Sequence, residues 1–183
     1  MKKGIILLTA LLFVSGVFSQ KTKKVKLHLN NALVVAQLDN PEDRYSLEIN
    51  LTELLVSRGV KAEPSLNYMK FGEDSQVLGS DSIVNLMKQK EIDTYCLVSV
   101  RGYDKRFKKT KRRDNLKDAL SVGSLFNLYR EGIVSISFEF KFYRNGEFVY
   151  TDIVKCGNVG DRPTVLKRFR KKTGKRIVKK WKK

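Results

Sequence analysis

The sequence predicts a single α+β domain: a two-layer mixed sheet in the order β-α-β-α-β, then a β-hairpin and a C-terminal helix. Three observations carry that expectation. Apolar runs at 32–38 and 94–100 have the texture of strands buried on both faces. Helical periodicities with start and stop signals lie between them. After residue 133 the apolar period changes to two, and a hairpin signal follows.

Each element has its own reason. The segment 21–31 is basic and then alternates through Val25, Leu27 and Leu29, as a lead-in or an edge strand would. Residues 32–38 form the first strand. Asn40 can cap a helix, Pro41 suits its first turn, and Glu42 and Asp43 favour its positive end. Leu47, Leu51, Leu54 and Leu55 follow at helical spacing, and Gly59 ends the run. A second strand is expected over 60–65. Gly79, Ser80 and Asp81 open a second helix with Ile83, Leu86 and Met87 inward, and 94–100 is the third strand.

In the second half, Val134, Ile136, Phe138, Phe140 and Phe142 alternate with polar residues, which predicts a half-buried strand. Asn145-Gly146 is a strong two-residue hairpin signal, because both turn positions need positive φ. That turn places Glu139 opposite Asp152 on a solvated face, with Lys141 as a diagonal neighbour. Asp161-Arg162-Pro163 opens the last helix, with Leu166, Phe169, Ile177 and Trp181 as its apolar stripe. The stretch 105–132 resists assignment: Leu116, Ala119 and Leu120 suggest a helical turn, and 125–129 reads as helix or strand.

The first 19 residues read as a secretory signal: Lys2 and Lys3, then an apolar stretch over 4–18, then Val17-Phe18-Ser19 before a cut ahead of Gln20. The apolar stretch is short for a membrane span, which needs about 20 residues. The expectation is therefore export to the periplasm or the periplasmic face of the outer membrane, with 20–183 as one domain. Export permits a disulfide. Cys96 and Cys156 both fall in predicted strands, and a bridge would close a loop of about 60 residues; two buried thiols are the alternative.

The formal net charge is +18, and it is concentrated. Residues 20–100 hold 10 basic and 11 acidic side chains, whereas 101–183 hold 25 and 8. Two segments dominate. In 101–113 the candidates are Lys105, Arg106, Lys108, Lys109, Lys111, Arg112 and Arg113. In 162–183 they are Lys167, Arg168, Arg170, Lys171, Lys172, Lys175, Arg176, Lys179 and Lys180, with Trp181 as an interfacial anchor. Such blocks repel themselves unless a polyanion or a neighbouring acid offsets them. For an exported chain the partner would be an anionic envelope component (lipid headgroup, lipopolysaccharide or glycan) or an acidic protein. Nucleic acid ranks last, there being no RNA-recognition or helix-turn-helix signature.

Signals for catalysis are weak. Gly-rich phosphate loops and a Gly-x-Ser-x-Gly elbow are absent, and nothing points to a cofactor. His28 is the only His, too few for a triad context or a metal-ligand cluster. Asp39 is the best acid candidate, just past a buried strand where open sheets place ligand crevices, although helix entry and turn chemistry with Asn40 explain it fully.

The order of elements and three stretches resemble a group of bacterial envelope domains: the N-terminal domain of TolB, the curli secretion protein CsgG and the penicillin-binding-protein activator LpoB. The stretches are 32–39 (ALVVAQLD), 54–60 (LLVSRGV), and 92–100 (IDTYCLVSV) with the later hairpin 142–150 (FYRNGEFVY). The resemblance implies an interaction or assembly module without catalytic residues and carries over no site. The two basic segments depart from that pattern. The combined expectation is a non-enzymatic envelope binding module; the alternatives are a hydrolase using Asp39 and, for a chain that is not exported, a nucleic-acid binder.

Overall fold

A computed structural model describes residues 27–70, 72–110 and 113–183; the expected signal segment, Lys111 and Arg112 lie outside the described residues. The elements are β1 (Asn31–Ala36), α1 (Pro41–Val56), β2 (Lys61–Pro64), α2 (Asp81–Gln89), β3 (Thr94–Gly102), α3 (Leu116–Leu120), β4 (Ser135–Arg144), β5 (Glu147–Gly157) and α4 (Arg162–Arg176). A π-helical turn, Ile177–Trp181, continues α4. The sheet order is β2-β1-β3-β4-β5. Strand β1 is parallel to β2 and β3, and β3, β4 and β5 run antiparallel. The mixed α+β architecture is the one the sequence predicts.

The local signals act as expected. Asn40 accepts from the Asp43 N–H at 3.0 Å, and Gly59 leaves α1 at φ +71°. Asn145 and Gly146 take φ of +52° and +84°, the conformation a tight hairpin turn requires. The main core lies between the sheet and α1 with α4. Val34, Ala36, Cys96, Val98, Phe138, Phe140 and Phe142 meet Leu47, Leu51, Phe169, Ile177 and Trp181 there. The opposite face is also covered, by a thinner layer: Leu33, Val35, Tyr95 and Leu97 pack on Leu78, Met87, Leu116 and Leu120. Among the described residues no helix is long and apolar enough to cross a membrane.

Several expectations change. Residues 27–30 form no strand, but Leu27 and Leu29 are buried, and the Leu29 N–H donates to the Trp181 carbonyl at 2.7 Å. Residues 125–129 are neither helix nor strand: Leu128 enters the core while Leu125 stays 92% exposed. The β4–β5 register slips between Phe142 and Tyr143, where Val149 is the extra residue on β5. Glu139 therefore pairs with Ile153, and Asp152 with Phe140, so the two carboxylates point to opposite faces of the sheet.

The cysteines are not bridged. Cys96 and Cys156 are free and buried. Strand β4 separates them, and they pair with Phe142 and Ile136, six residues apart, or about 20 Å along that strand. A disulfide needs Cα atoms within about 7 Å.

Candidate functional site

The site is built from the two basic segments, and the structure gives them different tasks. The first is a strap. After β3 the chain crosses the face of β4 and β5 turned away from α4. Ser135 Oγ donates to the Tyr103 carbonyl, Ser137 Oγ to the Asp104 carbonyl, and the Thr110 N–H to Glu139 at 2.7 Å. Ser137 and Glu139 are thus buried, not solvated as the alternation predicted. The Phe107 ring sits against Gly102, whose φ of +148° suits glycine alone, and Lys105 lies against Gly157. Arg106 closes a local turn on Asp104 at 2.7 Å and holds that carboxyl below its ordinary pKa. Arg113 lies 5.9 Å from the Phe148 ring centroid, and Lys108 is exposed.

At the end of the strap, Lys109 reaches the edge of the sheet. Its ammonium donates to the Thr151 carbonyl at 2.7 Å, stands 3.3 Å from Asp152 and lies over the Tyr150 ring. Asp152 is 1% exposed and gathers three side-chain partners besides the Ile153 N–H. Lys109 comes from the strap, Arg176 from α4 at 3.3 Å, and Trp181 donates its indole N–H at 3.0 Å. One buried acid therefore joins both basic segments. Sequence reasoning missed it through the register error, yet a signal was available: Asp152 shares its side of β5 with Tyr150 and Val154, the side facing the phenylalanines of β4.

The second segment is α4 and its π-helical end. Its arginines face inward. Arg162 meets Asp43 at 2.8 Å, Arg170 meets Glu53 at 2.9 Å and Asn50 at 3.0 Å, and Arg176 meets Asp152. Arg168 is half-buried. Trp181 is fully buried, its ring 4.8 Å from Phe140 and 5.0 Å from Phe142, so it is a core residue and not an interfacial anchor. Lys172 donates to the Lys155 carbonyl at 2.5 Å. Lys167, Lys171, Lys175, Lys179 and Lys180 are exposed, and among the described residues none of these five is in an ion pair.

Between α4 and the free edge of β5 lies a cleft of about 360 Å³, lined by the strand edge 153–155 and by Lys172, Lys175, Arg176, Lys179 and Lys180. The outward carbonyls of that edge are already occupied: Thr151 by Lys109, Ile153 by Arg176 at 3.2 Å, Lys155 by Lys172. An exposed strand edge normally offers donors and acceptors alike. Here cations hold the acceptors, and the cleft presents mostly donors and positive charge.

A second hollow, of about 430 Å³, opens at the C-terminal end of β1. Gln37, Asp39, Arg44, Lys70, Asp74 and Gly123 are among its walls. The chain leaves both β1 and β3 at this end of the sheet, for α1 on one face and for the strap on the other, the arrangement that makes crevices in open sheets. No hydrogen bond ties the Asp39 carboxyl to a nucleophile among the described residues. Beneath the hollow, Glu48 is fully buried and accepts from the Ala36 N–H, the Leu66 N–H and Ser65 Oγ at 2.8–2.9 Å. Burial raises its pKa, against the lowering effect of those donors. Among the described residues no group of three His, Cys, Asp or Glu could hold a metal.

No protein-family model matches the chain, and no curated protein matches it. Solved structures of similar outline include a point variant of the PelC dodecamer from Paraburkholderia phytofirmans, at 9% identity and a TM-score of 0.44, covering 83% of this chain and 91% of that one. A PelC dodecamer from the same organism in a second crystal form gives 10%, 0.44, 83% and 89%. Lipoprotein GNA1162 from Neisseria meningitidis gives 11%, 0.44, 82% and 97%. None of the three is TolB, CsgG or LpoB, and at these values the likeness reaches neither residues nor sites.

Proposed function

We propose that this protein is an exported, non-enzymatic binding module of the cell envelope that holds an anionic surface through the lysine face of α4. The observation that supports this reading is the division of labour among its cations. Arginines and the strap lysine Lys109 are committed to internal acids and carbonyls, whereas Lys167, Lys171, Lys175, Lys179 and Lys180 stand exposed along one element. Each cation near an anionic surface contributes about 1 kcal/mol, and salt screens it. Export rests on the n-region and apolar stretch at the N-terminus.

Co-sedimentation with anionic and neutral vesicles across a salt series tests this. The expected result is binding to anionic vesicles alone at low salt, lost as salt rises. A Lys171/Lys175/Lys179/Lys180→Glu variant should keep its fold and lose binding. Undiminished binding by that variant would remove α4 from the interface. Charge reversal at Arg176 or Lys172 is the wrong probe, because both hold the sheet edge.

The crevice beside Asp39 favours a second reading, a small-ligand or hydrolytic site. Full activity of an Asp39→Asn protein on a substrate that the wild type turns over would dismiss a catalytic role for that carboxylate.

A further inference from the structure

We infer that the cleft between the β5 edge and α4 is a discrete site for the phosphate monoester of a lipid headgroup; this rests on the anionic-surface reading and narrows it to one place and one chemistry. A diffuse basic face needs only net charge. This cleft has more. Its walls carry Lys172, Lys175, Arg176, Lys179 and Lys180 and no carboxylate. The one nearby acid, Asp152, lies buried behind it and is consumed by Lys109, Arg176 and the Trp181 indole. Two of the five cations are held in place: Arg176 by Asp152 and the Ile153 carbonyl, Lys172 by the Lys155 carbonyl.

The strand edge adds to this. A residue in an antiparallel strand turns its N–H and its C=O the same way. The Lys155 carbonyl points out to Lys172, so the Lys155 N–H also points out of the sheet edge. The Lys155 side chain shares a side with Ser137, away from α4, and leaves the edge uncovered. The result is a hollow whose acceptors are filled, whose Ile153 N–H is held by Asp152 at 2.9 Å, and whose Lys155 N–H faces out beside the lysines. A doubly charged group with three terminal oxygens answers that pattern better than a singly charged diester, since charge-assisted hydrogen bonds are the strong ones.

A lipid source is favoured over a free phosphate by what borders the cleft. Val178 stands 47% exposed between Lys175 and Lys179 and lines the adjoining basic hollow with Lys171 and Gly174. An apolar side chain exposed among lysines at a helix end fits a headgroup boundary.

The test uses the purified protein and vesicles of phosphatidylcholine mixed with phosphatidic acid, a phosphomonoester, or with phosphatidylglycerol, a diester, adjusted to equal surface potential. The inference expects roughly tenfold tighter binding to phosphatidic acid, the ratio that one or two charge-assisted hydrogen bonds supply. A Lys175→Gln/Lys179→Gln variant should lose that preference. A Lys88→Gln/Lys117→Gln variant, with the same charge loss on α2 and α3, should keep it. Equal binding to both lipids would overturn the site and leave the anionic-surface reading standing. Binding to neither would overturn both. Inorganic pyrophosphate that protects the cleft lysines from acylation, with no preference between the vesicles, would overturn the lipid assignment.

Discussion

Two buried acids show how single side chains set this fold. Asp152 lies under the sheet edge with two cations and an indole N–H on its two oxygens. Lys109 and Arg176 reach Asp152 from partly exposed positions, so losing the acid frees them to turn to water and leaves the buried indole N–H without its acceptor, at a cost of about 1–3 kcal/mol. Asp152→Ala should lower the unfolding free energy by that order in urea titration; no measurable change would mean the indole N–H finds another acceptor. Glu48 differs, being buried with neutral donors on both oxygens. Its pKa is raised by burial, so the folded state holds its proton more tightly than the unfolded chain does. The stability this gives is full below the ordinary value of 4.5 and is lost as pH climbs through the raised one. Glu48→Gln should accordingly compare worst with the wild type in acid and gain on it toward neutrality, read from paired denaturation curves. A constant gap would refute this. The thiols give a third expectation. Burial pushes Cys156 up to about 11 and Cys96 further, so neither should be alkylated at neutral pH until the chain unfolds. Labelling of the native protein would contradict this.

At the scale of elements, the strap was the least legible part. The start of α1, the hairpin turn and the apolar runs of β1 and β3 could be read directly, because capping, turn chemistry and burial on both faces are local. The strap has no such local signal. Its hydrogen bonds come from Ser135, Ser137 and Glu139, some thirty residues away, and a run of lysines and arginines reads the same solvated or pinned. The register slip was hidden for a similar reason, since one extra residue on β5 leaves the alternation of β4 intact. Trp181 amid lysines suggested an anchor, but its ring completes the phenylalanine cluster of β4. Trp181→Ala should cost about 3–5 kcal/mol by near-ultraviolet and urea measurements. A loss under about 1 kcal/mol would return the indole to the surface. Gly102→Ala should also destabilise, because its φ is positive and the new methyl would meet Phe107.

Over the whole molecule, the charge imbalance so visible in the sequence resolves into two populations. The inward arginines act as rivets between α1, α4 and the sheet, and the outward lysines stay at the surface. The sequence suggested that the second half is basic as a block; only the packing separates the populations. The predicted vesicle binding, and its loss in the α4 lysine variant, belongs to this scale. So does the contact between Leu29 and the Trp181 carbonyl, reinforced where Arg144 donates to the carbonyls of Leu27 and His28. That contact closes a circuit of about 150 residues, and distant closures of this kind slow folding. It also sets a timetable. Synthesis delivers Leu29 long before Trp181, so a growing chain has no way to finish this core until Trp181 has emerged. Until then the phenylalanines of β4 lack the ring that covers them.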